Sequence, residues 1–220
     1  MRTVKMLGAA LIAVLALGAL AVSAASAGTV LVARTAAGVI PPGTNIVGFS
    51  SDLTFTTEAG KLECSKNVLE GKLANNEASK VKGEISTESS TGEGTGFGSA
   101  CKTTTPFGPA VILSTHLPWP IEFNTKGFVT VKKGKTGKVA FGSTFPAAPG
   151  EPKCTYETAK VISTFKPGKT GEPTEVESTT TEQIFKLNKK ISNEACPTTG
   201  KLNGHFTEKA NGEPVLTELK

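Results

Sequence analysis

KLNGHFTEKANGEPVLTEL, residues 201–219, is the stretch whose reading decides the fold. Lys201–Lys209 and Pro214–Leu219 both read as strands, and Asn211-Gly212 lies between them. Asn-Gly supplies the two positive-φ positions that a tight hairpin turn demands, so the pair is the strongest short hairpin signal in the chain. Working outward, the same pattern repeats. Asp52–Thr57 alternates Leu53 and Phe55 with polar residues, the period-two signature of a half-buried strand. Lys61–Cys64, Val68–Leu73 and Lys80–Ser86 continue it, followed by Ala110–Thr115, Trp119–Phe123, Phe128–Lys132 and Lys138–Thr144. Lys160–Phe165, Thr174–Thr180 and Gln183–Leu187 precede the final hairpin. Gly-Glu-Pro recurs at 150–152, 171–173 and 212–214, always between strand candidates, where glycine and proline punctuate turns.

With 24 Gly, 13 Pro and 38% hydrophobic residues, the composition suits many short strands rather than a helical bundle. The expected fold is all-β, an antiparallel sandwich or barrel over residues 51–220. Its halves, about 51–135 and 136–220, share a texture that reads either as a duplicated unit or as a common way of writing paired strands. Residues 28–50, with Pro41-Pro42-Gly43, read as a flexible lead-in.

Arg2 and Lys5 precede an uncharged run that lasts until Arg34, and small-residue cleavage signals stand at Val22-Ser23-Ala24 and Ala25-Ser26-Ala27. That combination is the signature of a secretory signal peptide over residues 1–27, forming a signal helix; the rival is an uncleaved membrane anchor. An exported chain with four cysteines reads as carrying two disulfides. Spacing alone does not choose among the three connectivities. The layout, two cysteines per half about forty residues apart, favours Cys64 with Cys101 and Cys154 with Cys196. A metal site is not expected, since no C-x-x-C pair occurs and neither histidine stands at ligand spacing from a cysteine.

The formal charge is +5, and residues 28–220 carry 22 basic against 19 acidic side chains. That is no nucleic-acid footprint. Lys132, Lys133, Lys135 and Lys138 form the one basic cluster; it reads as a solvated hairpin loop or as a contact for an anionic cell-wall polymer or an envelope protein. Membrane association is expected only if the signal segment stays uncut. Trp119, in Leu117-Pro118-Trp119-Pro120-Ile121, is read either as a rigidly presented binding aromatic or as a core tryptophan over a disulfide.

Catalytic motifs dissolve on inspection. Gly134-Lys135-Thr136 and Gly168-Lys169-Thr170 lack the first glycine of a phosphate loop and open no helix. Lys135-Thr136-Gly137 and Lys169-Thr170-Gly171 match one element of the penicillin-binding enzymes, but Ser163 and Lys166 fall on a strand, where residues three apart face opposite ways. A hydrolase would have to use Glu residues, or a serine with His116 or His205; Asp52 is the single aspartate. No cofactor-binding signature is present in the sequence.

Phe55-Thr56-Thr57-Glu58-Ala59-Gly60-Lys61-Leu62-Glu63-Cys64-Ser65, Leu117-Pro118-Trp119, Cys196-Pro197 and Leu202-Asn203-Gly204 together resemble a group of secreted, cysteine-paired, β-rich actinobacterial proteins. The resemblance spans Ser51 to Leu219 and carries no assigned activity, so it transfers no functional residue. A looser likeness is to the small disulfide-bonded sandwiches that carry apolar chromophores in actinomycetes. The expectation is a secreted or cell-envelope protein with a non-enzymatic binding, adhesive or structural role. The alternatives are a secreted hydrolase and a carrier of an apolar small ligand, which requires a real interior cavity.

Overall fold

The computed structural model describes residues 30–77, 79–92, 100–172 and 174–220. The expected signal peptide and its helix, residues 1–27, lie outside the described residues. Chain order begins β1 Leu31–Thr35, β2 Gly38–Val39, β3 Asn45–Ser50, β4 Leu53–Thr57, β5 Gly60–Cys64, β6 Lys66–Glu77 and β7 Lys80–Thr91. It continues with β8 Lys102–Thr103, β9 Val111–Thr115, β10 Trp119–Asn124, β11 Phe128–Lys132, β12 Val139–Thr144 and β13 Lys153–Thr158. The last are β14 Lys160–Thr164, β15 Gly168–Lys169, β16 Thr174–Glu175, β17 Glu177–Leu187, β18 Thr199–Ala210, β19 Glu213–Pro214 and β20 Leu216–Leu219. The described residues are all-β.

Eight antiparallel strands close a barrel in the order β3-β6-β7-β10-β11-β14-β17-β18, with β18 pairing back onto β3. Closure leaves those strands no free edge. The expected hairpin forms beside its turn, where Lys209 pairs Pro214 and Ala210 pairs Glu213, with Asn211 at φ 51° and Gly212 at φ 85°, but Leu216–Leu219 leaves β18 to pair with β1. Both central residues have positive φ, as a type I′ turn needs.

β17 and β18 run on beyond the barrel. Their far halves accept β4 on one side and β13 on the other, starting an arc of strands β8-β5-β4-β18-β17-β13-β12-β9. The ends of the arc meet where Cys101 and Ala110 exchange backbone hydrogen bonds of 2.8 and 3.1 Å. Phe55, Phe141, Tyr156 and Phe185 of the arc pack in one cluster with Ile85, Trp119 and Val161 of the barrel, so the arc closes over that end. Ring centroids 4.8 to 6.1 Å apart join Phe55 to Phe141, Tyr156 and Phe185. Gly200 is required there, since a Cβ on it would lie 2.0 Å from the Phe55 ring.

The other end is floored by a small sheet of β1, β2, β15, β16 and β20. Leu31, Ala33, Ile40 and Val215 pack there against Leu73, Val81, Val129 and Ala210. Buried Asn76 of β6 pins this floor: its carbonyl accepts from Ala33 N–H at 2.7 Å, and its amide donates to Ala33 O at 2.6 Å and Ile40 O at 2.7 Å.

Two expectations change. Residues 28–50 are not a flexible lead-in: from residue 31 they supply β1, β2 and β3, one of them a barrel strand. Their hydrophobic pattern is broken by Pro41-Pro42-Gly43, but Thr44 O and Leu73 N–H bridge the break at 2.9 Å. Nor do the halves 51–135 and 136–220 divide the structure. The β4–β5 hairpin enters the arc by its first strand and the β12–β13 hairpin by its second, so the two are not laid out as repeats. Both halves share one core.

Candidate functional site

Period-two alternation along the barrel strands puts one set of side chains inside. From β18 these are Leu202, Phe206, Glu208 and Ala210; from β17, Ser178 and Thr180; from β14, Val161 and Ser163. They do not fill the space. Between them, the β6–β7–β10–β11 wall and the aromatic cap lies a cavity of about 130 Å³. Leu69, Ile85, Trp119, Ile121, Val131 and Phe141 are among its apolar walls. A smaller cavity of about 70 Å³ adjoins it toward the floor, with Leu73, Val81 and Phe123 in its lining. Glu208 borders both.

Two polar stations interrupt the apolar lining. On the β7–β9 side, the Ser90 and Ser114 hydroxyls both donate to the Glu88 carboxylate, Ser114 at 2.5 Å. On the β14–β17–β18 side, Ser163 and Thr180 hydroxyls bond each other at 2.8 Å, and the Ser178 hydroxyl donates to Glu208 Oε1 at 2.9 Å. Glu208 Oε2 is buried with no partner. Burial pushes the Glu208 carboxyl up from 4.5 to about 8, the Ser178 hydrogen bond holding it back and Glu175 adding to the rise. At neutral pH this side chain is therefore a neutral acid. Among the described residues lining the larger cavity, none is Lys, Arg or His.

The residues singled out from sequence fall elsewhere. Cys64 is bonded to Cys101 and Cys154 to Cys196, the pairing the layout favoured. Trp119 is 6% exposed, donates its indole N–H to Thr115 O at 3.2 Å and faces the cavity, so it is no surface aromatic. The strand alternation that starts β10 turns it inward. Lys132, Lys133, Lys135 and Lys138 are exposed around the β11–β12 loop; Lys132 pairs with Glu122, and Lys138 with Glu157. Those two carboxylates neutralise half the cluster.

The histidines do not assemble a triad. His205 sits on the outer face of β18 with its ring 2.5 Å from Asp52 Oδ2, both about half exposed. Its imidazole is raised above 6.5 by that hydrogen bond. Burial works against ionisation of Asp52, but the His205 N–H, its ring and Ser50 outweigh it and hold the carboxyl low. The His116 ring meets the Lys138 carbonyl at 3.3 Å. Among the described residues no serine or threonine hydroxyl hydrogen-bonds either ring.

Sequence reasoning missed Glu208 among so many glutamates. The signal was there in the alternation: from Leu202, every second residue is Gly204, Phe206, Glu208 and Ala210, which places one carboxylate on an otherwise apolar face. No family model, no curated protein and no solved structure matches the chain.

Proposed function

We propose that this is an exported, non-enzymatic binding protein that holds an apolar small molecule inside its barrel. The observation that carries the reading is the unfilled interior. At about 24 cal/mol per Å³, an empty 130 Å³ cavity costs roughly 3 kcal/mol of stability. A fold closed by two disulfides and capped at both ends could have filled that space with larger side chains. Most of the wall is hydrocarbon, so an apolar guest gains by burying its surface there. The interior thus favours the carrier over an adhesive or purely structural role, while the signal segment and the paired cysteines favour export to an oxidising compartment.

A hydrolase is the weaker reading. Glu88 and Glu208 do border one cavity, but Glu88 is held by two hydroxyls and the surrounding walls are Leu, Ile, Val and Phe. Such a lining offers a sugar or peptide too few partners for its many polar groups.

The test is titration of the oxidised mature protein with N-phenyl-1-naphthylamine, followed by fluorescence and by native mass spectrometry. Saturable binding at one probe per chain, displaced by aliphatic competitors, is expected. No saturable uptake, or uptake that persists unchanged when the cavity is filled by Val131→Phe, would overturn the reading.

A further inference from the structure

We infer that the cavity takes a neutral apolar molecule bearing a hydrogen-bond-accepting oxygen, and that the Glu208 carboxyl at the floor end receives that oxygen. The inference rests on the proposed binding role and adds the class of ligand. Three observations carry it.

The first is the charge inventory. Among the described residues, the polar side chains around the larger cavity are the two carboxyls, Glu88 and Glu208, five hydroxyls and the Trp119 indole, which is spent on Thr115 O, with no cationic side chain. An anionic head, such as the carboxylate of a fatty acid, would be stripped of water and left beside acidic groups. The second is the state of each donor and acceptor. Ser90 and Ser114 are spent on Glu88, Ser163 and Thr180 on each other, and Ser178 on Glu208 Oε1. Among the described residues around the cavity, Glu208 Oε2 is the carboxyl or hydroxyl oxygen left without a partner, in a residue only 8% exposed. A buried polar atom without a partner costs about 1–3 kcal/mol, and a ligand group that satisfies it recovers that cost. The third is the form of the match. A neutral carboxylic acid offers one O–H, which suits a single carbonyl, ether or hydroxyl oxygen. An ammonium brings three donors and would find one free oxygen in an apolar wall, a poor exchange for its hydration shell. Lys72 and Lys82, which border the smaller cavity, are exposed and leave the balance unchanged.

Displacement of N-phenyl-1-naphthylamine by decan-2-one, decanoate and decylamine, chains of equal length with different heads, separates the possibilities. Decan-2-one is expected to compete at least tenfold better than decanoate. Glu208→Leu should weaken decan-2-one about tenfold relative to the naphthylamine. Glu208→Gln, which keeps a donor of nearly the same shape, should retain the ketone and serves if the leucine variant fails to fold. Equal competition by decanoate, or an unchanged ketone affinity in Glu208→Leu, refutes the ligand class. Decylamine binding tightest, and losing its advantage in Glu208→Gln, refutes it in favour of an amine. Failure of the naphthylamine to bind the wild-type protein at all is a different result and removes the binding role itself.

Discussion

Replacing Glu208 by glutamine should change how the stability of this protein depends on pH. In the unfolded chain the carboxyl ionises near 4.5; in the folded barrel it holds its proton to about 8. Below pH 4.5 both states are protonated and the group distinguishes nothing further. Between the two values the unfolded chain releases a proton that the folded one keeps, so the folded state binds more protons and stability falls as pH rises. Each pH unit in that window is worth about 1.36 kcal/mol, giving a total on the order of 5 kcal/mol by pH 8 and a plateau beyond it. That is a large share of the stability of any domain of this size. Glutamine fills the same space without titrating. Urea unfolding of oxidised wild type and Glu208→Gln at half-unit steps from pH 4.5 to 8.5 measures the difference directly. His205 also titrates in this range, but it is identical in both proteins and cancels in the comparison. The wild-type curve should drop against the variant by several kcal/mol. Curves that stay parallel within about 1 kcal/mol would mean that Glu208 reaches water or a cation when folded, and the account of a neutral acid in the cavity wall would be wrong.

Val131→Phe should raise the melting temperature by filling part of the void, with a gain of about 1 kcal/mol if the ring fits without strain, and should abolish probe binding; a lowered melting temperature with binding intact contradicts the cavity. Asn76→Ala removes three hydrogen bonds to Ala33 and Ile40, and should cost about 3 kcal/mol or more; hydrogen exchange should rise first in β1 and β2. Cys64→Ser and Cys154→Ser open loops of 37 and 42 residues, and each should cost about 2–4 kcal/mol under oxidising conditions. Unchanged melting in both would show that the disulfides do not restrain the unfolded chain. The His205 ring should titrate above 6.5 by NMR and fall back toward it in Asp52→Asn; the attraction between the two is present only while Asp52 is ionised and His205 protonated, and weakens below and above that window.

Most of the strands were legible because each announces itself locally. Residues 201–219 carry their own turn chemistry, and Asp52–Thr57 its own alternation. What local pattern does not encode is which strands close on which. The pairing of β18 with β3 joins residues more than 150 positions apart, and nothing in Asn45–Ser50 names Thr207–Ala210 as its partner. β1 and β3 were passed over because Pro41-Pro42-Gly43 looks like a linker. Their stability comes from tertiary contacts, Asn76 above all, rather than from their own pattern. Of Thr174–Thr180, Thr174–Glu175 is the separate β16 of the floor sheet, while Glu177–Thr180 and Gln183–Leu187, read as parts of two strands, are one, with a register shift between Thr180 and Gln183 where the strand passes from the barrel to the arc.

The cavity was illegible for a more general reason. A void is a property of how walls fit together, and no residue marks it. Its polar floor was a different matter. Closure sends every second residue of β18 to the interior, so a barrel commits Glu208 to burial once the register of Leu202 and Phe206 is set. Evolutionary convenience would put a leucine there, as at Leu202. The glutamate is tolerated because Ser178, one strand over and also facing inward, meets one of its oxygens, while the other oxygen is buried without a partner in a side chain that borders the cavity. Filling the space would bury that oxygen permanently unsatisfied. The void and the unpaired acid are thus one feature. A guest with an acceptor oxygen resolves both at once, by filling the apolar volume and by meeting the proton that Glu208 holds.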